Sequence, residues 1–401
     1  MKNLLELKEK VSLTELSKKI NIKGETKIYP VYRIAIEELY YNNQNDRIAS
    51  QISEYMENNN LENFDVDYDN LSKYNDIVGE FIKASNMPAF MKTKNNIERF
   101  SQLEAGVVTT DGRVIDGNRR FTCLRELSKD NPQFAYFNAV ILDDGQLTPK
   151  EIKTLELEIQ HGQEEKVGYD IIDRCAGIYK DLIKEGHMFT REEYARSTDE
   201  KISDIDKLIE KTNLIVEFLE FMNAPEKFHV ARNLEIDGPI SELIPLKKNS
   251  SEEEWNKIKI ITFDNIITKT DKDITRYIRD IKKYVKDDEL DNYFEEHRET
   301  SKQIHTKLEN MGNVTIDKVK EEIRSNEDLK ENARKVYEKY TDKGKLKEVK
   351  EQPIKLLEKV SNILDEIDFN AVNKMSIDEK DRFIYSFNEI LNKLNNMKGK
   401  I

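Results

Sequence analysis

Apolar side chains change their spacing along the chain, and the changes predict a mixture of strands and helices. Residues 105–110 and 114–116 hold short, nearly continuous apolar runs that are typical of buried strands. After Gly117 the apolar residues recur every three or four positions instead, as on one face of a helix. Those helical positions are Phe121, Leu124 and Leu127. The segment is therefore predicted to run strand, turn, strand, glycine turn, helix.

Helical spacing also marks the first residues of the chain. In residues 12–22, Leu13, Leu16 and Ile20 recur at intervals of three and four, behind a serine that suits a helix N-cap. The pattern predicts an amphipathic helix within residues 1–26 that packs on the following domain. A fragment of a helix-turn-helix motif is the alternative interpretation.

The second half of the chain has helical spacing almost throughout. Thr190 and Glu193 have the spacing of a capping box, and two helices are predicted over residues 189–219, with Ser203 capping the second. From residue 240 to the end, apolar residues recur at helical intervals between dense mixed charges. Pro353 is expected to end or kink a helix, so that the last helices fold back as an antiparallel pair.

Together these patterns predict an α+β fold in which a small mixed domain precedes a predominantly helical region. The predicted division is an N-terminal helix in residues 1–26, a mixed domain in 27–165, a helix-turn-helix-like block in 166–236 and a helical C-terminal domain in 237–401. The only tryptophan, Trp255, follows a predicted linker and helix cap at residues 249–251 and is expected to anchor a helical core.

Charge and composition narrow the classes of function. The chain of 401 residues has 78 acidic and 65 basic residues, a net charge of −13. In residues 187–222, five basic residues face nine acidic ones, a net charge of −4, which disfavours DNA because phosphate contacts need cations. A lysine-rich stretch over residues 339–359 is interpreted as a solvated helix face, with contact to nucleic acid or to an acidic partner as the alternative.

Cysteine usage and the absence of long apolar runs predict a cytoplasmic protein without a membrane partner, and the many Lys, Asn and Ile residues are typical of AT-rich bacterial or phage genomes. Cys123 and Cys175 have no metal-ligand spacing to histidines, which argues against zinc and against a disulfide framework. No metal-binding residues are therefore assigned. The first twenty residues lack the apolar core of a signal peptide.

The glycine turn carries the candidate chemistry, because Arg119 and Arg120 follow Gly117 at the predicted start of a helix. Backbone N–H groups at such a helix start point at an anion, and guanidinium groups add bidentate hydrogen bonds. The alternative is a simple Asp-Gly turn followed by exposed arginines. Asp116 is interpreted first as a turn residue and second as a ligand of a metal or a ribose.

The order of several motifs resembles that of the ParB/sulfiredoxin superfamily. Gly117-Asn118-Arg119-Arg120 matches the family's Gly-x-Arg-Arg element, and residues 28–47 match its opening strand and the following segment through Ile36, Leu39, Asn42 and Arg47. The resemblance implies a nucleotide pocket for CTP or ATP with Mg²⁺. The residues that it implies for nucleotide or phosphate binding are Arg47, Gly117, Asn118, Arg119 and Arg120.

A third element, residues 155–163, resembles the family's Glu-Asn-x-Gln-Arg motif but departs from it. Leu157, Glu158 and His161 stand where the family has Glu, Asn and Arg, and a shifted register makes Glu156 or Glu158 the acid instead. If the pocket catalyses a reaction, Asp116, Glu158 and His161 are the candidate metal-binding and acid-base groups. His161 is interpreted first as a surface histidine beside Gly162 and second as an acid or base near a phosphate.

Two classes of function follow from the resemblance. The favoured one is a nucleotide- or phosphate-binding switch, adaptor or DNA-associated regulator, in which binding takes precedence over catalysis. The alternative is a nuclease or ATPase that uses the same pocket. The expected partners are a nucleotide and either another protein or a second copy of the chain, the latter through the C-terminal helices.

Overall fold

The computed structural model of the chain describes residues 3–22, 25–143, 148–162, 170–285 and 288–400. It divides into two compact units. The first contains Met1–Lys282 and Lys286–Tyr337, and the second contains Lys283–Val285 and Glu338–Ile401. The boundaries predicted near residues 27, 166 and 237 stay predictions.

Within the described residues, six strands of the first unit form one mixed sheet in the order β1-β2-β6-β4-β5-β3. The pairs β2/β6, β1/β2 and β4/β5 are antiparallel, whereas β4/β6 and β3/β5 are parallel. The strands are β1 Val11–Ile22, β2 Glu25–Ala35, β3 Tyr40–Tyr41, β4 Gly106–Thr109, β5 Arg113–Asp116 and β6 Tyr136–Leu142. A sheet near the N-terminus followed by helices confirms the predicted α+β class.

The helices that surround this sheet or precede residue 237 are α1 Ala49–Asn58, α2 Leu71–Ser85, α3 Met87–Phe100, α4 Asn118–Leu127, α5 Pro149–Gly162, α6 Ile171–Ile178, α7 Arg191–Thr198, α8 Ile202–Phe221 and α9 Phe228–Asn233. A π-helical segment, Tyr179–Ile183, continues α6, and a single 3₁₀ turn, Asp46–Ile48, precedes α1.

The later helices are α10 Asp237–Asn249, α11 Glu252–Thr268, α12 Ile274–Tyr284, α13 Asp288–Asn310, α14 Ile316–Lys318, α15 Glu327–Asp365, α16 Phe369–Asn373 and α17 Ile377–Lys398. Trp255 is buried in α11, as expected of a core anchor, and Ser251 caps that helix in a capping box with Glu254.

Strand alternation distributes the apolar residues between two cores, one on each face of the sheet. Val108 and Val114 belong to the core that also contains residues of α2, α3 and α4. Their neighbours Val107 and Ile115 belong to the opposite core, with Leu155 of α5. Because successive strand residues point to opposite faces, a four-residue strand such as β4 supplies both cores. The sheet is therefore covered by α2–α4 on one side and by α5 on the other.

The helix predicted within residues 1–26 is wrong, because residues 11–22 of this segment form strand β1. The strand pairs with β2, but the register shifts between Leu13 and Ser17. This irregularity lets apolar residues recur at intervals of three and four within a strand, which imitates helical spacing. Ile20 is buried in the sheet core, whereas Leu13 and Leu16 are exposed.

The helix-turn-helix-like block forms the two predicted helices, α7 and α8. The capping box of Thr190 and Glu193 is present, and Tyr194 is buried in a core that it shares with Ile205. The predicted cap Ser203 is wrong, because Lys201 occupies the N-cap position and α8 begins at Ile202. Asp199 follows α7 in the left-handed conformation, and its backbone N–H closes the C-terminus of that helix.

Helix α15 does not end at Pro353, which corrects that part of the prediction, and a kink there stays a prediction. Helix α15 continues through this residue to Asp365. A proline removes one backbone hydrogen bond, to the carbonyl of residue 349, and Val349 is exposed, so water can satisfy that carbonyl. Apolar side chains of the second unit, among them Leu356 and Ile384, are also exposed. Dimerisation through these helices stays a prediction.

Candidate functional site

A cavity of about 340 Å³ lies in the first unit where β5 ends and α4 begins. Its charged and polar lining includes Asn45, Arg47, Ser85, Thr93, Asn96, Glu104, Asp116, Asn118, Arg119 and Arg120. Its remaining lining residues are Ile82, Ile97, Leu103, Ile115, Gly117 and Ile159. The cavity thus combines three arginines with amide and hydroxyl groups and an aliphatic wall.

Gly117 allows the chain to turn from strand β5 into helix α4. Its φ of 95° lies in the left-handed region, and a Cβ atom there would stand 2.9 Å from Cζ of Phe137. No side chain caps the helix, and the first amide that bonds within it is that of Phe121, to the Gly117 carbonyl. The backbone N–H groups of residues 118–120 are therefore donors without a partner inside the helix. The positive end of the helix dipole lies at the same place.

Asn118 is the first residue of α4 and points a buried amide group into the cavity lining. The residue is 9% exposed, and its Oδ1 has no hydrogen-bond partner among the described residues. Its backbone carbonyl accepts a hydrogen bond from the Thr122 hydroxyl at 2.9 Å. A buried amide without a partner is costly, so this group is expected to be satisfied by a ligand or by water.

Arg119 supplies a cation that pairs with none of the acidic groups in the described part of the chain. Its guanidinium is partly buried, its Nε has no hydrogen-bond partner, and none of the described acidic groups forms an ion pair with it. Burial and the neighbouring charge of Arg47 lower the pKa of Arg119. Two guanidinium groups that repel each other beside a helix start form a strongly electropositive surface.

Arg120, in contrast, has an acidic partner. Its Nη2 lies 3.1 Å from Oδ2 of Asp116, and Nζ of Lys18 lies 3.2 Å from the same oxygen. Asp116 therefore joins the end of β5 to both α4 and strand β1. Lys18 was not predicted as a site residue, because only the strand pairing of β1 brings it to this position.

The structure brings together all five residues predicted to bind the nucleotide, since each of them lines the cavity. Of the predicted acid-base groups, Asp116 also lines it. Glu158 is not among the lining residues, although the next residue, Ile159, is. His161 belongs to the last turn of α5, and its side chain lies outside the described residues.

Behind the cavity lies a buried ionic cluster that was not predicted. Nζ of Lys153 is 2.7 Å from Oδ2 of Asp46 and 3.8 Å from one carboxylate oxygen each of Glu156 and Asp181. All four side chains are less than 9% exposed. Burial raises the pKa of Glu156 to about 7 and that of Asp181 to about 6, and Lys153 opposes both shifts.

The cluster touches the cavity through one residue. Asp46 stands between Asn45 and Arg47, both of which line the cavity, and Oδ1 of Asn45 accepts a hydrogen bond from the Arg47 backbone N–H at 3.1 Å. On its other side Asp46 packs against Gly177 of α6, where a Cβ atom would lie 3.0 Å from Cγ of Asp46. Sequence offers no signal for such a cluster, since buried charges occur without a local pattern.

The cavity lining suits phosphate better than a protein-bound magnesium ion. Its carboxylates are Asp116, which two cations already hold, and Glu104. Mg²⁺ is commonly held by one or two carboxylates together with the phosphates of a nucleotide. The cations and amide groups fit the phosphates, whereas Mg²⁺ would depend on the nucleotide for most of its ligands.

The surface of the helical pair α7/α8 offers few free cations. Several of its basic side chains pair with carboxylates: Arg191 with Asp206, Lys207 with Asp204 and Lys211 with Asp237. This pairing adds to the acidic balance of the block. In the parts of the chain that the structure describes, we find no helix with the length and apolar character needed to cross a bilayer.

Comparison with known proteins gives one structural likeness. A solved structure of the C2221 form of a Pnob8-like ParB-N domain is similar to this chain, with 12% sequence identity and a TM-score of 0.27. The match covers 57% of this chain and 88% of that one. Neither the models of protein families nor the curated proteins give a match. The cavity and its charges are therefore interpreted from their own geometry.

Proposed function

We propose that this chain binds the triphosphate of a nucleotide, CTP or ATP, at the start of α4 and acts as a nucleotide-dependent switch or adaptor. The observation that carries the proposal is Arg119, a partly buried guanidinium without an acidic partner among the described residues. It lies at a helix start whose amides are free, beside a second arginine. Such a set of donors is complementary to phosphate oxygens.

Two further features support a nucleotide rather than an isolated phosphate ion. The cavity extends from the arginines to the aliphatic side chains of Ile97 and Leu103 and the amide of Asn96. Binding sites for small molecules combine apolar walls with a few polar groups that fix orientation. The arginine end therefore suits the phosphates, and the α3 end suits the sugar and base.

The proposal assigns binding and not hydrolysis. Asp116 is held by Lys18 and Arg120, and Glu158 lies outside the lining, so neither supplies a free base in the cavity. The partner of the switch is proposed to be a protein, because the block α7/α8 is acidic and several of its cations are paired. DNA is disfavoured for the same electrostatic reason.

Calorimetric titration of the full chain with CTP, ATP and GTP tests the proposal. We expect at least one of the three to bind, and Arg119→Ala to weaken that binding by about tenfold or more, because a charge-assisted bidentate contact is lost. Arg120→Ala is expected to have a smaller effect, since this side chain already pairs with Asp116.

Arg125→Ala is the matched control for these titrations. Arg125 belongs to the same helix but pairs with Asp76 at 2.9 Å and does not line the cavity. Its replacement should leave nucleotide affinity unchanged. The proposal is refuted if none of the three nucleotides binds the wild-type chain, or if Arg119→Ala and Arg125→Ala bind as the wild type does.

A further inference from the structure

The segment Asp46–Ile48, with Asn45 before it, contacts two parts of the molecule at once. Asn45 and Arg47 line the cavity, whereas the side chain of Asp46 between them is buried against Lys153. Asp46 cannot move without displacing its neighbours, because the segment is a single tight turn closed by the Asn45 side chain. The position of Arg47 in the cavity therefore depends on what holds Asp46.

We propose that Lys153 is a positioning residue for the phosphate site, because it holds Asp46 and so fixes where Asn45 and Arg47 stand in the cavity. It also ties that segment to the π-helical segment Tyr179–Ile183 through Asp181. This inference rests on the proposed function and concerns how the phosphate site is regulated. The occupancy of the cavity is thereby coupled to the helices that follow α6.

The packing around Asp46 supports a positioning role from a second direction. Gly177 of α6 lies so close that an added Cβ atom would stand 3.0 Å from Cγ and 3.1 Å from Oδ2 of Asp46. The ammonium group of Lys153 and the backbone of Gly177 both lie against the Asp46 carboxylate, which leaves this group little room to shift. Helix α6 runs directly into the π-helical segment that carries Asp181. Such π segments often occur at functional sites.

The charges of the cluster also link it to an anion in the cavity. Lys153 faces three carboxylates from three elements, namely Asp46, Glu156 of α5 and Asp181. The charge of Lys180 also acts on Glu156 and Asp181, and the charges of Asp46 and Asp181 in turn act on the hydroxyl group of Tyr194. When all three carboxylates are ionised, each interacts with the Lys153 ammonium group, and their summed negative charge opposes a bound anion. When Glu156 is protonated, Lys153 is available to Asp46.

Gly177→Ala tests the inference without changing any charge. We expect the added methyl group to displace Asp46 and to weaken binding of CTP and of inorganic triphosphate by about tenfold, as misplacement of a binding group does. Gly79→Ala is the matched control, because Gly79 is also a buried helical glycine and its added Cβ atom would meet nothing closer than 3.5 Å. That variant should bind both probes as the wild type does.

Lys153→Met tests the inference by removing the cation that pairs with Asp46. Binding is measured at a temperature at which this variant is folded. The substitution should weaken binding of both probes by about tenfold. Ile278→Ala, a fully buried position of α12, should destabilise the first unit and leave the affinity unchanged. If Lys153 contributed only to stability, Lys153→Met and Ile278→Ala should have the same effect on the affinity for the two probes.

The pH profile of binding gives a readout that general stability does not alter. Wild-type affinity for inorganic triphosphate should fall between about pH 5.5 and 8 more steeply than that of Glu156→Gln, which lacks the titrating carboxyl group. The inference is overturned if the two profiles coincide, or if Gly177→Ala and Lys153→Met bind both probes within twofold of wild type.

Hydrogen exchange separates this inference from the proposed function. If the wild type binds neither CTP nor inorganic triphosphate, the proposed function is wrong. Hydrogen exchange of the backbone amides of residues 44–48 then tests separately whether the contacts of Asp46 hold this segment in position. Their exchange should accelerate in Gly177→Ala by about tenfold relative to Gly79→Ala, since the local opening becomes easier. Equal exchange in the two variants would overturn the positioning role.

Discussion

Lys153→Met is expected to lower the free energy of unfolding by about 3–5 kcal/mol near pH 7.5, because removing one partner from a buried ionic cluster leaves uncompensated charges. Lys153 forms ion pairs with Asp46, Glu156 and Asp181, and all of these side chains are buried. Methionine fills a similar volume, so the loss reports charge rather than a cavity. Urea denaturation of both proteins measures it.

The stability lost in Lys153→Met should depend on pH, and the direction of this dependence follows from the pKa values of the buried carboxyl groups. Burial raises the pKa of Glu156 to about 7 and that of Asp181 to about 6, from ordinary values of 4.5 and 3.8. The folded chain therefore holds more protons than the unfolded chain over this range, and stability from these groups is present at low pH and lost as pH rises through 6 to 7. Without Lys153 the ionised carboxylates repel one another more strongly, so the variant should lose most above pH 7 and least near pH 5.

Lys150→Met is the control for this series. Lys150 belongs to the same helix but pairs with Glu193 at the surface, where both side chains are more than 40% exposed. Exposed ion pairs contribute little to stability, so this replacement should change the unfolding midpoint little at any pH. Equal losses in the two variants, or a loss in Lys153→Met that is the same at pH 5 and pH 8, would contradict the prediction.

Gly106→Ala is expected to destabilise the first unit by roughly 2–3 kcal/mol, the upper part of the range for overpacked cores. An added Cβ atom would stand 2.3 Å from Cζ of Phe137 and 2.7 Å from the backbone carbonyl oxygen of Asp116. Phe137 is fully buried, and Asp116 ends the strand that leads into the cavity. Both β6 and β5 must shift to accept the methyl group. Thermal and urea denaturation measure the change.

A second substitution shows which contact causes the loss. In the background of Phe137→Leu, which shortens the ring that the methyl group meets, Gly106→Ala should cost less than it does alone. Part of the loss should remain, because the contact with the Asp116 carbonyl is untouched. Strictly additive effects of the two substitutions would contradict this contact as the cause. Gly79→Ala, which meets only ordinary contacts, should not destabilise the chain.

The sequence was sufficient to predict those parts of the fold and site that depend on neighbours in the chain. The strand before Gly117 and the helix after it have different apolar periods, and a glycine between them is the natural place for the left-handed turn that the structure contains. Asn118, Arg119 and Arg120 then reach the cavity because they are the first turn of that helix. The capping boxes at Thr190 and Ser251 are equally local.

Features that depend on distant pairing could not be predicted. Strand β1 has helical spacing because its register slips against β2, and only the sheet partner shows this. Lys18 reaches Asp116 through that pairing, and Lys153 meets Asp46 across 107 positions of the sequence. A lysine among acidic residues is typical of a solvated helix face, and its burial depends on tertiary contacts.

Phe137 restricts which residues homologues can have at the two glycine positions beside it. Its ring leaves no room for a Cβ atom at Gly106 or at Gly117, although these glycines belong to different elements. A smaller residue at position 137 therefore removes one obstacle at each position, while the Asp116 carbonyl still opposes a side chain at 106 and the left-handed φ still opposes one at 117. In an alignment of relatives, replacements of the glycine at 106 should accordingly occur in chains with a small residue at 137, whereas the glycine at 117 should be kept.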